Sequence, residues 1–193
     1  MAKIRNNPIL QKVTGVLGKT IVFRQTVNGP VMANAPKKPD VYHPTQIALQ
    51  NRFRDATQYA NCQKVNDDAR AMYATGIGKK RNSVYQVAVA DYLKAPEVKR
   101  ITTDDYWGNI GNEIFIYATD DFSVASVLVV ITSSAGDEIE RGQAVLSELL
   151  RNTWIYTTTS SNQTIAGTAI TATAKDIPGN TAIRTFTFNA EPR

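Results

Sequence analysis

The sequence predicts an α+β N-terminal region, a β-hairpin plus three helices over residues 1–96, followed by an all-β immunoglobulin-like sandwich over residues 97–193. Two observations carry this division. Charge changes sign at Pro96: residues 1–96 hold 15 Lys+Arg against 5 Asp+Glu, and residues 97–193 hold 7 against 12. The halves are therefore net +10 and −5 within a chain of 193 residues and net +5. Hydrophobic periodicity changes at the same point, from helix-like spacing to alternation rich in Thr, Val and Ile.

The elements follow in order. Ile9, Leu10 and Val13 lead into Gly15-Val16-Leu17-Gly18, read as a turn with a small apolar plug. Residues Lys19 to Gln25 are β-branched and aromatic enough for a strand, Asn28-Gly29 is a hairpin signal, and Val31-Met32-Ala33 forms the return. Pro30 predicts that the return strand is not central. Ala35-Pro36-Lys37-Lys38-Pro39 reads as an extended basic arm, because its prolines resist both helix and ladder.

Pro44-Thr45 marks a helix start with Thr45 as the N-cap. Leu49, Phe53, Ala56 and Ala60 recur at i, i+4, i+7 and i+11, an apolar stripe predicted to face inward. Asn66-Asp67-Asp68 caps a second helix to about Thr75, ended by Gly76-Ile77-Gly78. A basic loop, Lys79-Lys80-Arg81, precedes a third helix capped by Asn82 or Ser83, with Val84, Val87, Ala88 and Tyr92 inward.

From Val98 the period is two. Strands are predicted near 98–103, 113–119, 123–132, 138–144, 153–159, 168–174 and 182–189. Residues 147–151 are a candidate helical turn. Seven short strands separated by polar turns are the pattern of a sandwich about 100 residues long. The basic half is small to stand alone and is expected to rest on the second half or on a neighbouring subunit.

The single cysteine, Cys62, excludes an intrachain disulfide and fits a small, partly buried side chain. The N-terminus has positive charge but no apolar h-region, and no run approaches about 18 apolar residues. The expectation is cytoplasmic synthesis without a signal peptide and no membrane span.

Residues 167–181 resemble the last hairpin of bacterial Ig-like domains. An alternating Thr/Ala strand is followed by Asp176-Ile177-Pro178-Gly179-Asn180 and a final strand through Arg184-Thr185-Phe186-Thr187-Phe188. In this turn Gly179 takes positive φ and the Asp176 side chain bonds nearby amides. Residues 124–142 fit the middle strands, so the resemblance covers about the last 80 residues, and it implies fold rather than activity. The disulfide and core tryptophan of antibody domains are not matched. The N-terminal half, through Gly15–Gly18, Val22-Phe23-Arg24, Pro36–Pro39 and Gln46 to Phe53, resembles small uncharacterised proteins found mostly in Bacteroidota. These are associated with phage-like and contractile-injection-like particles, which implies a structural or adaptor subunit and a place in a phage-like or extracellular particle.

Catalytic signatures are sparse. His43 is the only histidine and stands in a loop, so with one distant Cys there is no Cys/His metal set. A Ser-His-Asp or Cys-His arrangement could use only His43, no Gly-x-Ser-x-Gly elbow occurs, and His43 reads as a solvated loop or interface residue. Gly15-x-x-Gly18-Lys19-Thr20 has the wrong spacing and context for a phosphate loop, and Gly76-x-Gly78 lacks the fingerprint. The acidic pairs Asp67-Asp68, Asp104-Asp105 and Asp120-Asp121 could bind calcium with backbone carbonyls, but fit cap and turn chemistry better. No catalytic, cofactor or metal residue is nominated and no cofactor is expected.

The electrostatic signal is the basic half. Phe23, Arg24, Lys37, Lys38, Arg52, Phe53, Lys79, Lys80 and Arg81 are the candidate partner-binding residues. The expected function is a non-enzymatic assembly subunit that docks other copies of itself and other structural subunits by charge complementarity. Nucleic-acid binding through the basic half is an alternative. A third is an Ig-like adhesion or carbohydrate-binding module using Tyr106-Trp107, expected to be exposed.

Overall fold

The computed structural model describes residues 2–3, 13–26, 29–37 and 41–189. The chain divides into two compact units, Met1–Ile47 and Ala48–Arg193. The first holds an antiparallel sheet of β1 (Ala2–Lys3), β2 (Gly15–Leu17), β3 (Ile21–Thr26) and β4 (Gly29–Asn34) in the order β1-β4-β3-β2. Val22 and Val31 are its buried apolar side chains among the described residues.

Several expectations are corrected here. Gly15–Leu17 is a strand paired with β3, not a plug, and Val16 and Leu17 are both 62% exposed. The turn falls one step later, with Gly18 and Lys19 both at positive φ. The return strand β4 is central, because Ala2 and Lys3 pair with Met32 and Val31. Pro30 is tolerated because those two residues are the ones β1 pairs, while Pro30 itself faces Gln25 of β3. The expected hairpin forms, with Thr26 opposite Gly29 and Gly29 at positive φ; Asn28 lies outside the described residues.

Three helices follow: α1 (Pro44–Val65), α2 (Asp67–Ala74) and α3 (Val84–Leu93). The cap of α1 is His43, not Thr45. The His43 carbonyl accepts from Gln46 and Ile47, and its Nδ1 accepts from Thr45 N over 3.3 Å. Pro44 takes the first helical position, where its missing N–H costs nothing. Asn66 caps α2 through Ala69 N and Ser83 caps α3 through Gln86 N.

The apolar stripe of α1 is only half buried. Ala56 and Ala60 are fully covered, whereas Leu49 is 62% and Phe53 54% exposed. Cys62 is exposed as well, against expectation, because it stands off the face that carries the two alanines. Ala60, Tyr73, Val87 and Ala88 form a helical core joined by Phe122 and Ile177 from the strand region. The expected Pro96 boundary marks the change of secondary structure, while the compact unit runs across it because this core spans both sides.

The remaining strands are β5 (Glu97–Thr102), β6 (Glu113–Thr119), β7 (Val124–Thr132), β8 (Glu138–Leu146), β9 (Thr153–Thr157), β10 (Ala169–Asp176) and β11 (Thr181–Thr187). Residues 147–151 form bends and a turn, not a helix. The seven strands form one antiparallel sheet, β11-β10-β7-β8-β9-β6-β5. The sheet curls until its ends approach: Arg184 Nη1 of β11 donates to Val98 O of β5 over 3.4 Å. The unit is thus mixed α+β with a nearly closed, sandwich- or barrel-like sheet. Its core takes alternate residues, including Ile114 and Ile116, Val127, Val129 and Ile131, and Ile170, Ala172 and Ala174. Among the described residues no helix is long and apolar enough to cross a membrane.

Candidate functional site

The candidate partner-binding residues fall into three groups. In the first unit Phe23 is half-buried, Arg24 and Lys37 are exposed, and Lys38 lies outside the described residues. On α1, Phe53 is exposed and Arg52 reaches across to α3, where its Nη2 donates to Leu93 O over 2.9 Å. In the loop before α3, Lys79 and Lys80 are exposed. Arg81, by contrast, is half-buried and paired with Asp121, which also takes Lys94 Nζ at 3.3 Å. Burial alone pushes the Asp121 carboxyl up, but hydrogen bonds and charge from Lys94 and Arg81 outweigh it and hold it below its usual range. Arg81 therefore fastens the loop to the sandwich.

A second arrangement joins residues that are far apart in sequence. Carboxylate oxygens of Asp91 (α3), Asp120 (between β6 and β7) and Asp176 (the end of β10) all lie within 4.8 Å of one another. Asp91 and Asp176 are buried and Asp120 is half-buried. Each is held from one side. Asp91 Oδ2 accepts from the Tyr73 hydroxyl at 2.6 Å. Asp120 Oδ2 accepts from Phe122 N and Ser123 N at 3.3 and 3.2 Å. Asp176 Oδ1 accepts from Gly179 N and Asn180 N, and Oδ2 from Asn180 Nδ2, at 2.8, 2.6 and 2.7 Å. The opposite oxygens of two members, Asp91 Oδ1 and Asp120 Oδ1, are buried without a hydrogen-bond partner.

Burial pushes the Asp91 carboxyl up to about 7, with the neighbouring Asp120 and Asp176 adding to it and the Tyr73 hydrogen bond opposing it. Burial likewise raises the Tyr73 hydroxyl, helped by its hydrogen bonds to Asp91 and Tyr59. Three acidic groups so placed bind a proton between two of them or a cation among all three.

The sequence signals for this cluster were partial. The turn reading of Asp176 is correct: Gly179 has φ of 101° and the carboxylate bonds two backbone amides. Asp120 does make the turn contacts expected of an acidic pair. Asp91 had the clearest signal, at i+7 from Val84 on the same stripe as the buried Val87 and Ala88. A carboxylate on an apolar helix face asks for a partner.

A third feature is a groove of about 710 Å³ on the sandwich, whose lining includes Tyr106, Trp107, Ile165, Phe186 and Phe188. Trp107 is 69% exposed, as expected. Tyr106 is buried, against expectation, because its hydroxyl accepts from Asn162 Nδ2 at 3.1 Å and its ring packs on Phe188.

His43 is exposed and occupied with its capping role, so it brings no nucleophile or metal ligand together. No protein-family model and no curated protein matches the chain.

Proposed function

We propose that the protein is a non-enzymatic structural or adaptor subunit of a phage-like or contractile-injection-like particle. Its first unit and the start of α1 make the contacts with neighbouring subunits. One observation carries this reading: the first unit buries only Val22 and Val31 among its described apolar side chains while Val16 and Leu17 stay exposed on a strand. A four-stranded sheet whose described side chains bury so little apolar surface gains stability from a cover. The exposed Leu49 and Phe53 point the same way, since an apolar helix face left in water is a site of association. The exposed cations Arg24 and Lys37 of the first unit favour an acidic partner surface, which the net negative second half of another copy offers.

We read the sandwich as immunoglobulin-like. The strand neighbours β11-β10-β7 and β5-β6-β9 support it, because they repeat the G-F-C and A-B-E order of that fold when β5 is taken as the first strand.

The test is the mass of the purified protein by light scattering at low and high salt. A discrete oligomer that dissociates at high salt is the expected result, and the double charge reversal Lys37→Glu with Lys38→Glu abolishes assembly while the fold persists. A monomer at every salt and concentration removes self-docking.

The aromatic groove favours a second reading, glycan binding, because an exposed tryptophan over an open groove is suited to stack on a sugar face. Loss of glycan binding on Trp107→Ala supports it; a glycan array with no signal removes it.

A further inference from the structure

Asp91 has no accessible surface, and its Oδ1 has no hydrogen-bond partner. Asp120 Oδ1 is in the same condition. A buried carboxylate oxygen left unpaired costs a good deal of stability; a proton shared with Asp120, whose side chain lies within hydrogen-bonding reach of Asp91, or a cation held by the cluster would satisfy it. The groups acting on Asp91 are Tyr73, Asp120 and Asp176, none of them a cation. The nearby basic side chains Arg81 and Lys94 are engaged by Asp121. The cluster therefore gathers three acidic groups, with no cation among the described groups that act on Asp91.

We propose that Asp91, Asp120 and Asp176 bind a hard divalent cation of the calcium class, which pins α3 to the β6–β7 connection and to the end of β10. All three ligand groups are oxygens, which suits a hard cation and not zinc or copper. Their spacing within 4.8 Å lets one ion touch all three. The contacts from Tyr73, the Phe122 and Ser123 amides and Asn180 fix the far side of each carboxylate, so the ligands are held in place before the ion arrives. Calcium takes six to eight oxygens in flexible geometry, and water completes the shell; magnesium demands a tighter octahedron and usually takes one or two carboxylates. This inference is independent of the assembly role: it concerns the interior of the second unit alone.

The test uses the full chain, freed of metal by chelation and then titrated with calcium near about pH 8, where carboxyls are ionised. Melting temperature is expected to rise by about 5–10 °C when calcium stands at about 100 times its Kd. Terbium(III), a calcium substitute, is expected to show tyrosine-sensitised emission from the neighbouring Tyr73, and calcium is expected to displace it. Asp120→Asn keeps an acceptor for the two backbone amides and should lose both responses; Asp91→Asn, which keeps an acceptor for Tyr73, provides the same reading if the first variant fails to fold. No melting shift and no sensitised emission would overturn the proposal and leave a proton shared between Asp91 and Asp120. A response to magnesium alone would overturn the calcium-class assignment. Full responses in both variants would place the ion elsewhere and overturn it too.

Discussion

Tyr73 donates its hydroxyl hydrogen to Asp91 Oδ2 over 2.6 Å, with both side chains fully buried. The pair links α2 to α3 in the helical core, and Tyr59 extends it from α1 with a hydroxyl contact of 2.8 Å. Three helices thus meet on one chain of polar atoms inside an apolar cluster. Tyr73→Phe removes the donor but leaves the acceptor buried, the costlier half of the exchange. The expected loss is about 1–3 kcal/mol in a urea titration.

Asp91 gives the chelated protein a distinctive pH dependence. Its carboxyl is raised to about 7 in the fold, against about 3.9 in the unfolded chain. The folded state then binds more protons than the unfolded state between those values. Its contribution to stability is full below about pH 4, falls as pH rises toward about 7, and is level beyond. The acidic neighbours Asp120 and Asp176 and the hydroxyl of Tyr73 face it and shape this window. Urea midpoints measured across the range should fall with pH in the wild type relative to Asp91→Asn, which lacks the titration.

Arg81 tests whether the basic loop is a structural fastener. Arg81→Ala strands the half-buried Asp121 with only the more exposed Lys94 as partner. The expected cost is about 1–2 kcal/mol at neutral pH, discounted for solvent screening. The Asp121 carboxyl is held low in the fold, so this contribution is present above its unfolded pKa and lost as pH falls through its folded one. The difference between wild type and variant should shrink on acidification.

Gly108 has φ of 79°, and a Cβ placed there would sit 2.1 Å from Asn162 O. Asn162 N in turn donates to Gly108 O over 2.8 Å. Backbone meets backbone, so no side-chain rotation relieves the clash. Gly108→Ala is expected to cost more than about 3 kcal/mol, among the larger single-site effects, read as a drop in melting temperature.

Phe53 and Leu49 separate association from folding. Neither belongs to a buried core among the described residues. Phe53→Ser should change monomer stability within about 0.5 kcal/mol while weakening any oligomer seen by light scattering. Equal effects on folding and association would count against a docking role for this face.

Much of the strand region was legible in the sequence. Glu113–Thr119 is predicted with its observed limits, and β7 and β10 within two residues, because alternation survives wherever one face packs on a core. The caps Asn66 and Ser83 were legible for a local reason: each acts on an amide three residues away. The α1 stripe was legible only as a stripe. Its period is the same at the covered Ala56 and the exposed Phe53, since periodicity marks an apolar face without saying what covers it. The carboxylate cluster was not legible, because Asp91, Asp120 and Asp176 belong to a helix, a turn and a strand end that only tertiary packing joins. Strand β2 was hidden because its three residues, Gly15 to Leu17, are too few to show a period and Gly18 follows at once.

The bond from Arg184 to Val98 closes a loop of 86 residues. Closing a long loop costs entropy before its contacts repay anything, and such non-local pairing slows folding. During synthesis β5 emerges early and waits through five intervening strands for β11 to arrive. Until then β10 has an unpaired edge where β11 will lie, so the nascent protein is most prone to mispairing in the interval before β11 emerges.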